Sequence, residues 1–113
     1  MTLQTGRRLH LAFLVLCLPI AALGAILPVN EYAAIGAAGA VDCDGPFSAL
    51  TFAAPAFVIY ASNAATLFWI RAREPRWHIG MSVFCLIVSL CVLPNLITAL
   101  VADRHNAAEA SCH

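Results

Sequence analysis

Three stretches of the chain carry no formal charge: 9–30 (with His10 taken as neutral), 45–70 and 77–102. A helix rising ~1.5 Å per residue needs ~20 apolar residues to cross a ~30 Å hydrocarbon layer. Each stretch is longer than that. Inside lipid the backbone must satisfy its own hydrogen bonds, which makes each crossing element a helix. Between the first two, the only continuously apolar run is 33–41, and it is too short to span. The pattern therefore predicts an all-α integral membrane protein with three transmembrane helices, over 9–30, 46–70 and 78–102. They form a single membrane domain over 1–113, with a short leader at 1–8, loops at 31–45 and 71–77, and a tail at 103–113.

Helices two and three are expected to form an antiparallel hairpin. Pro75 in their short connector stops the second helix from running on. Trp69 and Trp77 flank that connector, where indoles favour the membrane interface. Asp44-Gly45-Pro46 is a turn signal that opens the second helix. Small residues let helices approach closely in lipid, and the second helix carries them on two faces: Ala49, Ala53 and Ala56 with Tyr60, and Ala54, Ala61 and Ala65. On the third, Ser82, Cys85 and Ser89 are three and four apart and share a face. Asn63 and Cys85 lie at about the same depth, so Asn63 is expected to bond a hydroxyl or carbonyl of the third helix near Ser82 or Ser89. Asn95 lies near the opposite surface. Pro55 and Pro94 each remove a backbone donor from a helix interior, and "LPNL" at 93–96 is expected to be a packing kink stabilised by Asn95.

Composition supports the same class. Of 113 residues, 62% are hydrophobic and 11% charged, against about a quarter charged in soluble domains. There is no lysine, and six arginines balance six acids. No basic stripe or acidic tail is present, which argues against nucleic acid as a partner. Charge distribution sets the expected threading. Arg7, Arg8, Arg71, Arg73 and Arg76 fall on one side and Arg104 on the other, so the positive-inside rule puts the amino terminus in the cytoplasm and the carboxyl terminus outside. The expected location is a bacterial plasma (inner) membrane. The start of the chain, through Ala25, also has the basic opening, apolar middle and small residues (Ala22, Gly24) of a cleaved signal peptide. Apolar sequence continuing to Val29 favours a retained span.

Candidate chemistry changes this picture little. No Asp, Glu, Lys or Arg falls within a span, which counts against a coupled transporter or proton relay. No cysteine, base and orienting acid stand together, and no phosphate-cradling glycine loop appears. Neither a catalytic residue nor a cofactor is expected, and His78 is taken as an interface residue. His105, Cys112 and His113 with Cys43 lack the spacing of structural zinc ligands, so no metal is expected. Cys17, Cys85 and Cys91 fall inside helices as small apolar residues. Cys43 and Cys112 alone lie outside the spans, both on the outer side. A disulfide between them is the leading expectation if that compartment is oxidising, with free thiols, intermolecular bridges or a redox role as alternatives. Closing that loop contributes at most ~4 kcal/mol by chain entropy.

A chain that is nearly all span, without buried charge, points to a non-catalytic accessory or assembly subunit, or to a self-associating helical bundle. Its partners would be the lipid bilayer and either other membrane subunits or itself. The alternative is a transport or channel component whose pore forms only on oligomerisation, lined by Asn63, Asn95, Ser82 and Ser89.

Overall fold

The structure is a computed structural model and describes residues 3–30, 35–36, 43–72, 74–109 and 112. Among these residues all regular structure is helical. Helix α1 spans Leu3–Ile26, α2 Gly45–Trp69 and α3 Pro75–Ala107. All three are long and apolar enough to cross a membrane. The molecule measures 56 × 22 × 21 Å, longer than a ~30 Å hydrocarbon layer along its helices and about two helix diameters across.

Helix limits differ from the predicted spans for local reasons. Helix α1 starts at Leu3, well before Leu9, because a helix can continue through water past the hydrocarbon boundary, and Arg7 and Arg8 sit in its first turns. It ends at Ile26 rather than Asn30. Leu27 precedes Pro28, and a residue before proline is driven out of helical conformation. Helix α2 matches within one residue, with Pro46 in its first turn and Ile70 closing it through a bond from its N–H to the Thr66 carbonyl. Helix α3 begins at Pro75 and runs past Ala102 to Ala107. Arg104 and His105 in its last turn lie where cations suit the helix dipole.

The core is built from the faces the spacing suggests. Ala49, Ala53, Ala56 and Tyr60 are buried, and the row continues to Ala64 and Leu67. From α3, Met81, Ser82, Cys85, Ser89, Val92, Leu96 and Ala99 are buried. Helix α1 adds Leu14, Cys17 and Ala21 to the main cluster, while Val29, Ala49 and Ala99 form a smaller one toward the other end. Close approach of α1 to α2 depends on Gly24, where a Cβ would stand 2.8 Å from the Ala53 Cα and 2.9 Å from its N. The outward surface is strongly apolar, with Leu16, Ile26, Val58, Ile87, Leu90 and Val101 each more than half exposed.

Candidate functional site

Of the polar side chains singled out by the sequence, Ser82, Asn95 and Asn63 link helices, whereas Ser89 bonds within its own helix. The Ser82 hydroxyl donates to the Ala64 carbonyl of α2 at 2.7 Å. The Ser89 hydroxyl bonds one turn back on its own helix, to the Cys85 carbonyl at 2.8 Å. Cys85 is fully buried in the main cluster. Asn95 donates to the carbonyls of Gly24 at 2.7 Å and Leu27 at 2.9 Å. These carbonyls lie at the end of α1, where a helix leaves its last acceptors unused, so Asn95 caps that helix from α3. The "LPNL" segment therefore ties α3 to α1.

Asn63 departs from expectation. It faces α1, not α3: its amide nitrogen donates to Ile59 O at 2.7 Å and its amide oxygen meets His10 Nε2 at 2.7 Å. A carbonyl can only accept, so the Ile59 bond fixes the amide orientation, and Nε2 of His10 is the donor. Comparing depths along two helices leaves out the third, which supplies the imidazole. The fully buried Tyr60 makes a second link to α1, donating its hydroxyl to the Leu14 carbonyl.

At the end of the bundle marked by α1's start and the α2–α3 connector, the His10–Asn63 pair lines a cavity of about 690 Å³. Its lining includes Arg7 and His10 of α1, Asn63 and Leu67 of α2, and Glu74, Trp77 and His78. Arg7 Nε donates to Glu74 Oε2 at 3.0 Å, Nη2 pairs with the same oxygen, and the guanidinium lies 5.2 Å from the Trp77 ring centroid. The hydrogen bond from Arg7 holds the Glu74 carboxyl below the usual carboxylate range, with the charges of Arg7 and nearby His78 acting in the same direction. Among the described residues, His78 Nδ1 is the one buried side-chain nitrogen or oxygen without a hydrogen-bond partner. A second cavity of about 610 Å³, lined by Arg7, Glu74, Pro75, Arg76 and Trp77, lies on the same ion pair.

The sequence holds a signal for this end that charge counting passes over. Glu74 is the one acid in the connector that carries Arg71, Arg73 and Arg76. His10 reads only as an uncharged residue of the first apolar run. Their partners become visible only when α1 is laid against α2.

At the opposite end, Cys43 and Cys112 form a disulfide with Cα atoms 5.5 Å apart, joining residues 69 positions apart. Cys17 and Cys85 are buried free thiols, and Cys91 is an exposed one. His105 Nε2 lies 3.7 Å from a Glu109 carboxylate oxygen, and His113 falls outside the described residues. Among the described residues no group of three or more His, Cys, Asp or Glu is arranged to hold a metal ion.

A third feature lies on the outward face between α2 and α3. It is a groove of about 400 Å³, floored by Ala61, Ala64, Ala65, Ser82 and Ser89 and walled by larger side chains such as Phe57 and Leu90. Comparison with protein-family models, curated proteins and solved structures finds no match to the chain.

Proposed function

We propose that the chain is a non-catalytic subunit of a membrane assembly, acting through helix association in a bacterial inner membrane. In this reading α1, α2 and α3 all cross the bilayer. The Arg7–Glu74 end is cytoplasmic, the Cys43–Cys112 end is outside, and α2 and α3 form an antiparallel hairpin. The arginine asymmetry supports the orientation. Retention of α1, rather than its removal as a signal peptide, is supported by what it contributes: Leu14, Cys17 and Ala21 in the core, His10 against Asn63, and the carbonyls that Asn95 caps.

The observation that carries the subunit reading is the groove between α2 and α3. In lipid, helices associate through close van der Waals packing and interhelical hydrogen bonds, and small residues permit the close approach. Alanines at 61, 64 and 65 between Phe57, Phe68, Leu86 and Leu90 offer a slot for a further helix. The oligomeric pore is less well supported. Asn63, Asn95, Ser82 and Ser89 already direct polar atoms to partners inside the protomer, leaving little to line a channel.

Native mass measurement after extraction in a gentle detergent tests the proposal. A species heavier than one chain, from a second copy or another subunit, is the expected result. Recovery as a lone monomer contradicts it. A periplasm-active reporter fused after His113 should be active, whereas activity confined to a cytoplasmic reporter overturns the orientation.

A further inference from the structure

We propose that the two adjoining cavities on the Arg7–Glu74 pair form a binding site for one acidic phospholipid, its phosphate held by Arg7 and Arg76. This rests on the reading of the three helices as membrane spans. Under that reading the cavities open at the level of the headgroups, since Arg7 precedes the first apolar run and Arg76 immediately precedes the third.

Three observations point to this class of ligand. The first is unused donor capacity. Arg7 directs Nε and Nη2 to a single Glu74 oxygen, leaving Nη1 without a partner among the described residues. A guanidinium carries five donors in a fixed plane, and that plane is suited to phosphate. Arg76 lines the second cavity, is exposed, and makes no hydrogen bond or ion pair with the described residues. The second is alignment. Glu74 and the Trp77 ring hold Arg7 in one place, so little freedom is lost when an anion arrives. Glu74 balances one of the two cations, so the paired cavities keep a net positive charge. The third is the apolar floor. Leu67, Ile70 and Trp77 line the larger cavity beneath the arginine, which suits the glycerol and upper acyl chain of a lipid better than a free, fully hydrated ion. Basic pockets between transmembrane helices on the cytoplasmic side are an established way to recognise anionic headgroups.

Arg71 provides an internal contrast. It bonds the Phe68 carbonyl at 2.8 Å and lies over the Phe68 ring at 4.1 Å, and it lines neither cavity. A general attraction of the basic side for acidic lipid would involve Arg71 as much as Arg76. A site would not.

The test is native mass spectrometry of the full chain in micelles containing equal amounts of phosphatidylglycerol and phosphatidylcholine. One phosphatidylglycerol should be retained per chain in preference to phosphatidylcholine. Arg7→Gln and Arg76→Gln should each weaken retention roughly fivefold, while Arg71→Gln leaves it unchanged. Arg76 has no partner among the described residues, so Arg76→Gln remains informative even if Arg7→Gln loosens α1. Equal retention of the two lipids overturns the proposal, as does an equal loss in Arg71→Gln and Arg76→Gln. Displacement of the lipid by millimolar inorganic phosphate would mark a simple anion site and overturn the lipid assignment. The same spectra count chains per particle, so failure of the subunit reading registers separately from failure of the lipid site.

Discussion

At the scale of single residues, the fold is held by a few polar bonds in a low-dielectric interior, and each makes a distinct prediction. Tyr60→Phe keeps the ring and its edge-on contact with Phe84, 6.3 Å between centroids, but removes the hydroxyl that bonds the Leu14 carbonyl across the helix contact. We expect a loss of about 1 kcal/mol in unfolding free energy, measured by reversible unfolding in mixed micelles. An unchanged stability would mean that the bond contributes nothing. Glu74 has the opposite character, lying outside the spans and responding to pH. Its folded pKa is depressed, first by the hydrogen bond from Arg7. The stabilisation is therefore present above the unfolded pKa and is lost as pH falls through the depressed folded value. Thermal unfolding of wild type and Glu74→Gln should differ at neutral pH and converge in acid. A difference that persists unchanged at low pH would contradict the role given to the pair. Asn63 marks the limit of what single residues disclose. Its depth can be counted along the helix, but its partner lies on a helix whose contact with α2 no spacing within α2 encodes.

At the scale of helices, packing is governed by where small side chains let backbones meet. The row of Ala49, Ala53, Ala56 and Tyr60 and the row of Ser82, Cys85 and Ser89 are legible because a helical face repeats at three and four residues, and both rows are buried. The close approach at Gly24 is not legible. In sequence Gly24 stands out only as a small residue that would suit signal-peptide cleavage, the alternative to a retained span, whereas its surroundings are the backbone of Ala53 and the carbonyl carbon of Phe52. Backbone atoms cannot swing aside as a flexible side chain can. Gly24→Val should therefore force α1 away from α2, at a cost of about 1–3 kcal/mol, whereas Gly6→Val, at a position with open space, should cost little from packing. Equal effects in the same unfolding assay would remove Gly24 from the α1–α2 contact. Asn95→Ala tests the other α1 anchor, with an expected loss of about 0.6–1.7 kcal/mol. Of the helix ends, those of α2 are legible to within one residue, whereas α3 starts at Pro75 rather than at 78 and α1 ends ahead of Pro28 rather than at 30, because span length alone does not register where a proline starts or stops a helix.

At the scale of the whole molecule, a disulfide closes one end, an ion pair over an indole closes the other, and an apolar surface lies between. The Cys43–Cys112 pairing is legible because these are the two cysteines outside the spans. In non-reducing electrophoresis, wild type should migrate faster than after reduction, and Cys43→Ser should lose that difference. A mobility shift that survives in Cys43→Ser would assign it to other cysteines. The end cavity is the least legible feature, because three separate segments build it and none has a motif of its own. The groove between α2 and α3 carries the central claim that the chain works by association. A photo-crosslinking side chain placed at Leu90, on the groove wall, and at Leu16, 77% exposed on α1, tests that claim in intact membranes. One discrete adduct, at twice the chain mass or at the chain mass plus that of a single other partner, is expected from Leu90 and not from Leu16. No adduct from Leu90, or the same adduct from both positions, would contradict association through the groove.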